Sequence, residues 1–220
     1  MSKQASEYDC WRGIDYRPAL LEISADTLAP YLRVGQKALE IGCHRGRTTM
    51  WLANHGLDVL GIDINLDAIL QARTSAEITN PRAHFMQGDF LDQTNLGTFD
   101  LVVMVRALTC FSSFADWRAV LSHAFECVVA GGLIYIHDFV YSPENKVYRE
   151  RYKEGERRGW RTGNFSVPGR EGGTLFIAHH HSMEELNEIM NPYEKIFLNL
   201  HDSVSMNGHP CRMFEFLGKR

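Results

Sequence analysis

Three short apolar runs, each closed by a glycine-rich or acidic turn, constrain this chain more than any other feature. They are Ala38-Leu39-Glu40-Ile41-Gly42-Cys43-His44-Arg45-Gly46, then Val59-Leu60-Gly61-Ile62-Asp63, then Gln87-Gly88-Asp89-Phe90. Their order and spacing are those of the nucleoside-binding half of an open α/β sheet. Around them, apolar runs rich in β-branched residues alternate with amphipathic stretches, which is the pattern of a parallel sheet flanked by helices. The fold class expected is therefore a doubly wound, mostly parallel α/β sheet with helices on both faces.

The alternation sets the expected elements. An opening helix runs from Pro18 to Leu32, a first strand from Ala38 to Ile41, and a helix from Thr48 to Asn54. A second strand covers Val59 to Ile62, and Asn65 is a good N-cap for a helix through Ala72. A short strand follows at His84 to Met86. Phe99 to Val105 is nearly all apolar, so that strand is expected to be buried on both faces. A helix from about Ala115 to Val129 is stopped by Gly131-Gly132, and Leu133 to Ile136 forms a fifth strand. The stretch from Val140 to Gly173 lacks strand periodicity and carries one helical piece around Val147 to Tyr152; such a long interruption is usually a lid or binding loop. Ser182-Met183-Glu184-Glu185 is a capping-box pattern that opens a helix through Met190. Two antiparallel strands, Lys195 to Leu200 and Arg212 to Leu217, close the chain around a turn at Asn207-Gly208.

Composition narrows the classes of function. The 220 residues suit one domain spanning 1–220, with residues 1–34 as an N-terminal cap and 140–173 as an inserted substrate loop. A net charge of −4 gives no whole-chain attraction to nucleic acid. No apolar stretch approaches a membrane span and the polar start carries no secretory signal, so no membrane partner is expected. Five scattered cysteines (Cys10, Cys43, Cys110, Cys127 and Cys211) form no C-x-x-C pair, which suits a reduced, cytoplasmic chain without a disulfide framework.

The turns themselves suggest a ligand. Gly42 and Gly46 permit a sharp turn and close approach after the first strand, and the helix behind them points free N–H groups at whatever sits there. Asp63, at the tip of the second strand, can accept from both hydroxyls of a ribose. Asp89 is placed to accept from an adenine amine, with the Phe90 N–H beside it. A dinucleotide fingerprint needs glycines where this chain has His44 and Arg47, so a pyrophosphate turn is disfavoured.

Glu40 to Gly46, Gly61-Ile62-Asp63, Gly88-Asp89-Phe90, Phe99 to Val103 and Val129 to Leu133, taken in this order, resemble the motifs of the class I S-adenosylmethionine-dependent methyltransferases. The resemblance covers Leu39 to Ile136 closely and Ser182 to Leu217 in outline; His44 departs from it, since the family usually has glycine there. It implies a seven-stranded sheet with an antiparallel last strand and S-adenosylmethionine as cofactor. By the same resemblance, Glu40, Gly42, Cys43, His44 and Gly46 lie about the methionine part and Asp63 with Ile64 about the ribose. Gly88, Asp89 and Phe90 lie about the adenine. Val105 and Arg106, at the fourth strand tip, are further cofactor-binding candidates; Arg106 could pair with a carboxylate of donor or acceptor, or be a solvated arginine. The N-terminal aromatics Trp11 and Tyr16 could cap the donor, or be ordinary core or surface aromatics.

The methyl acceptor leaves a weaker trace, because displacement at a sulfonium needs only positioning, dryness and sometimes a base. His137 follows the fifth strand and could take a proton; a histidine bonded to backbone is the alternative. Of His179-His180-His181, alternation lets only His179 and His181 share a ligand, and no third residue is spaced to complete a zinc site, so no metal is expected. His180 is a further candidate base, against a polar strand end. Lys146 to Arg170 holds eight basic and three acidic residues. Arg157, Arg158 and Arg161 could therefore bind an anionic small-molecule acceptor, or simply form a solvated helix face. A protein methyltransferase and a non-methylating S-adenosylmethionine-binding relative remain alternatives, as does a nicotinamide-dependent oxidoreductase. Val105-Arg106-Ala107-Leu108 stands where a nucleic-acid amino-methyltransferase would carry its Pro-Pro motif, and no acidic cluster for metal-assisted O-methylation follows the fourth strand. The sequence says nothing of oligomeric state.

Overall fold

The computed structural model describes residues 25–169, 173–205 and 208–220. Seven strands form one sheet: β1 (Lys37–Ile41), β2 (Asp58–Asp63), β3 (Ala83–Gln87), β4 (Phe99–Val105), β5 (Val128–Phe139), β8 (Glu194–Val204) and β9 (Pro210–Lys219). Their order is β3-β2-β1-β4-β5-β9-β8, parallel except for β9, which runs antiparallel to both neighbours. The expected doubly wound sheet with its antiparallel last strand is therefore what the chain forms. Five helices of eight or more residues accompany it among the described residues: α1 (Arg47–Asn54), α2 (Leu66–Thr79), α3 (Phe114–Cys127), α4 (Lys146–Arg157) and α5 (Met183–Met190).

Alternation along the strands sends side chains to two cores. Leu39, Ile41, Val102, Met104, Ile134, Ile136, Phe214 and Phe216 pack on Trp117, Val120 and Ala124 of α3 and on Leu186 and Ile189 of α5. On the opposite face Ala38, Val59, Leu101, Val103, Tyr135 and Leu217 meet Leu52 of α1 and Ile69, Ala72 and Ala76 of α2. Burial on both faces explains why β4 is apolar apart from Asp100. The chain leaves β1 for β2 on one side and returns to β4 on the other, so the strand order reverses beside β1. At such a switch point the carboxyl ends of neighbouring strands part and leave a crevice for a ligand.

Several boundaries differ from the sequence reading. The Asn65-capped helix continues to Thr79, with Asn65 Oδ1 accepting from Ala68 N at 3.0 Å. Helix α3, capped by Ser113, ends at Cys127; Gly131-Gly132 do not stop it but lie inside β5. That strand extends to Phe139, so His137 and Asp138 are strand residues rather than loop residues. The stretch from Val140 to Gly173 holds the expected helical piece, as α4, and then the unexpected start of an antiparallel hairpin, β6 (Asn164–Pro168) and β7 (Thr174–His179). This unit has its own small core of Phe139, Tyr148, Tyr152, Phe165, Ala178, Cys211 and Met213. Of the expected opening helix, the described part is a helical turn at Ala25–Leu28 and a 3-10 turn at Ala29–Tyr31; Trp11 and Tyr16 lie outside the described residues. No described helix is long and apolar enough to cross a membrane.

Candidate functional site

The crevice is built by the turns after β1, β2 and β3. Gly42 N and Cys43 N both donate to Ile62 O, at 2.8 and 3.0 Å, which bends the chain across the end of β2. His44 and Gly46 both adopt left-handed backbone, with φ of 47° and 75°. At Gly46 the conformation and the space agree on glycine, because an added Cβ would lie 2.3 Å from the Phe85 ring. His44 holds the same region without being glycine, and its N–H donates to Asp63 Oδ2 at 2.7 Å. That bond gives the histidine a reason to tolerate a backbone region that normally favours glycine.

Asp63 joins the pieces. Its other oxygen, Oδ1, accepts from Asn65 N at 2.8 Å, so one carboxylate ties the β1 turn to the start of α2. Its carbonyl accepts from Gly88 N at 2.9 Å, which brings the β3 turn alongside. The Ile64 N–H also acts on this carboxylate, which has about four lone-pair sites and so keeps room for a ribose hydroxyl. Burial raises the Asp63 carboxyl above its ordinary value, opposed by these N–H groups. Next to it, the Ile64 carbonyl accepts from Gln87 Nε2 at 3.2 Å. Asp89 caps the turn Phe90–Asp92 through Leu91 N at 3.0 Å, and Phe90 is buried, stacked on His123. The Phe90 side chain therefore anchors the turn that the sequence placed beside an adenine.

Glu40 turns inward. It is buried and accepts from Thr49 Oγ1 of α1, and burial pushes its carboxyl up to about 8. Cys43 is likewise buried and its thiol is raised well above the usual range. Burial, with Arg45 and Arg47 nearby, lowers His44 to about 4, so its ring is neutral at ordinary pH. Thr49 was not singled out in the sequence; a hydroxyl one helical turn behind the glycine loop is the signal that would have found it.

Along the carboxyl edge, Gly42 packs on Ala107: an added Cβ would lie 3.0 Å from Ala107 Cβ. Val105 ends β4 opposite His137 in the β4–β5 register. Arg106, also left-handed at φ 52°, donates its N–H to His137 O at 2.8 Å, and its guanidinium lies 5.4 Å from the Phe139 ring centroid. The His137 ring faces His201 of β8, Nε2 to Nε2 at 3.3 Å. Behind it, Glu215 accepts from Tyr135 Oη at 2.6 Å and Thr27 Oγ1 at 2.8 Å. Asp138, on the opposite face, accepts from Phe139 N and Thr109 N, and burial raises it to about 7.

The histidine triplet separates as alternation requires. His180 is buried, stacked 4.8 Å from Phe139, with Nδ1 bonded to Tyr152 Oη at 2.7 Å; burial lowers it to about 3. It is a packing histidine of the insert core and is not brought to the donor turns. His179 and His181 share the other side, and the expectation that no third residue joins them is corrected by Glu185 of α5. Glu185 also completes the capping box with Ser182, which is the role its sequence position advertised.

The three arginines of the insert do not act as one group. Arg157 and Arg158 both pair with Glu154 on the exposed face of α4, at 2.6 and 2.9 Å. Arg161 is instead mostly buried, paired with Glu185 and lying over Phe114 and Trp117.

Known proteins match this arrangement. A methyltransferase-domain family matches residues 38–132. An S-adenosylmethionine-dependent methyltransferase from Methanosarcina mazei superposes with a TM-score of 0.83 at 26% identity, over 91% of this chain and 99% of its own. The magnesium protoporphyrin IX methyltransferase of Synechocystis, crystallised with S-adenosylhomocysteine, shares the fold at 18% identity and a TM-score of 0.66, over 99% of this chain and 95% of its own. In sequence, the ubiquinone biosynthesis O-methyltransferase of Psychrobacter cryohalolentis is 26% identical over 118 residues, 52% of this chain and 45% of its own length. The chain thus spans about half the length of the curated relatives it matches. With the glycine turn and the Asp63 clamp at its carboxyl edge, the chain carries a methyltransferase domain over residues 38–132 and, over 91% of its length, shares the fold of an S-adenosylmethionine-dependent methyltransferase.

Proposed function

We propose that this chain, as one domain over residues 1–220, is a cytoplasmic enzyme that moves the methyl group of S-adenosylmethionine to an oxygen or nitrogen of a small anionic molecule. One observation carries the acceptor side of this reading. His137 and Arg106 stand together at the carboxyl edge, joined by a 2.8 Å backbone bond, one residue from the Ala107 that packs on Gly42. Transfer from a sulfonium is an in-line displacement, so the protein must hold the nucleophile, keep water away and receive a proton where one is released. The His137 ring, coupled to His201, is the group suited to receive that proton, and Arg106 carries the charge suited to an anionic acceptor. His180, sealed between Phe139 and Tyr152, is assigned no part in the proton transfer. The basic insert adds positive potential around the same edge, with Arg157 and Arg158 on its outer face.

The test is S-adenosylhomocysteine formation from S-adenosylmethionine with a panel of small carboxylic acids, phenols and amines. Turnover is expected with anionic members. His137→Asn is expected to lower kcat by roughly 100-fold, the lower end of general-base effects, with S-adenosylhomocysteine affinity within twofold. Product with neutral amines alone would overturn the anionic assignment. An unchanged kcat in His137→Asn would remove the base.

A further inference from the structure

Where β7 ends at His179, the chain turns alongside the end of β5. His181 forms a bridge with Val140, donates its N–H to Phe139 O at 3.0 Å and accepts from Tyr141 N at 2.8 Å. Alternation brings the rings of His179 and His181 together, with centroids 4.9 Å apart. Glu185, in the first turn of α5, reaches the same point, and the ligand atoms of the three residues all lie within 4.8 Å of one another.

Hydrogen bonds around His179 fix its tautomer. Asn164 Nδ2 donates to Ser112 O at 3.1 Å, which leaves Asn164 Oδ1 facing His179 Nδ1 at 2.7 Å. An amide oxygen only accepts, so Nδ1 carries the hydrogen and the neutral ring presents a lone pair at Nε2. That lone pair faces Glu185 Oε2 at 3.0 Å. Two acceptors so close require a cation between them, either a proton or a metal ion. His181 is an independent sign. Its ring is wholly buried, and neither Nδ1 nor Nε2 has a hydrogen-bond partner among the described residues. Buried polar atoms without partners are rare and often mark an ion or water that belongs there.

We propose that His179 Nε2, one ring nitrogen of His181 and Glu185 Oε2 form a binding site for a divalent transition-metal ion of the zinc type, with a fourth position open. Two imidazoles and a carboxylate are the donor set of such ions, whereas magnesium and calcium take oxygen ligands. The His179 Nδ1–H bond to Asn164 is the outer contact that orients a metal-bound imidazole. Arg161 holds the other oxygen of Glu185, which directs Oε2 at the histidines. Because the ion and the guanidinium together outweigh one carboxylate, the open position favours an anionic ligand such as hydroxide or a carboxylate. The ion would pin the end of β7, the segment beside β5 and the start of α5 to one another.

The experiment uses the full chain stripped with a chelator, titrated with Zn²⁺ by calorimetry and with Co²⁺ by visible absorption. One equivalent of Zn²⁺ is expected to bind, and Co²⁺ to give the intense bands of a four- or five-coordinate site. Glu185→Gln keeps the capping box, since glutamine serves there as well. His181→Phe places an apolar ring beside Trp117 and Phe214. Each variant is expected to weaken Zn²⁺ binding roughly 100-fold or more. S-adenosylhomocysteine affinity, read on the same samples, reports an intact fold and is expected to stay within twofold. The site is rejected if the stripped wild type shows no saturable Zn²⁺ binding, or if either variant binds Zn²⁺ as the wild type does. Retained S-adenosylhomocysteine binding alongside that result would leave the donor assignment standing.

Discussion

The donor edge and the insert solve the same problem, holding chemistry at the end of a sheet, by opposite means. At the donor edge the work is done by backbone. Glycine conformations, N–H groups of residues 42–46 and 65, and one carboxylate define the crevice. In the insert the work is done by side chains that find one another across long stretches of chain: His179 with Asn164, Asn164 with Ser112, Tyr152 with His180, Arg161 with Glu185. Backbone geometry is encoded locally and tolerates little. Side-chain networks are encoded at a distance and fail piecemeal.

Gly46→Val tests the intolerant side and should have the largest effect of the substitutions. It adds a Cβ 2.3 Å from the Phe85 ring and forces a β-branched residue to φ 75°. Left-handed backbone costs roughly 1–2 kcal/mol and overpacking roughly 1–3 more, so a loss of about 3 kcal/mol is expected in urea unfolding. A loss below about 1 kcal/mol would mean that the turn can relax.

The unsubstituted protein should show a pH effect at the same edge. Burial holds the Glu40 carboxyl at about 8 instead of 4.5, so the folded chain keeps a proton that the unfolded chain has released. Its contribution to stability is fully present below pH 4.5 and is lost as pH climbs through about 8. Each unit of displacement corresponds to about 1.4 kcal/mol. Thermal melts of the wild type should fall between pH 5 and 9, and Glu40→Gln should flatten that slope. Parallel slopes in the two proteins would show that Glu40 is already ionised in the fold.

For the insert, Tyr152→Phe removes the bond to His180 and a long one from Ser142 N while keeping the ring in its aromatic cluster. About 1 kcal/mol of stability should go, with donor affinity untouched. A change in S-adenosylhomocysteine affinity would show that the two regions are coupled. Smallest of all, Arg157→Ala with Arg158→Ala breaks only exposed pairs and should shift stability by less than about 0.5 kcal/mol. A several-fold rise in acceptor KM without change in donor affinity would place those arginines on the acceptor path; an unchanged KM would leave them as a solvated helix face.

The same contrast explains what could be read in advance. Gly42, Gly46, Asp63 and Asp89 were legible because each sits at a strand tip marked by a run of apolar neighbours. The hairpin Asn164–His179 was not, because its strands are short, partly exposed and broken by Pro168, so they carry no clean alternation. Glu185 was visible as a capping residue, but its meeting with His179 and His181 depends on where α5 docks. Strand β5 was undercounted because Gly131 and Gly132 look like a stop, yet they lie in the strand and Gly131 N donates to Arg220 O.

The strand order carries a consequence for how a ribosome delivers this protein. Strand β9 is synthesised after β8 but lies between β8 and β5. Until it emerges, the nascent sheet ends in an open β5 edge bearing Ile134, Tyr135 and Ile136, and β8 has nothing to pair with. An apolar, unpaired edge of this kind is a template for pairing with other chains. Crowded translation is therefore a condition under which this sheet is exposed to misassembly.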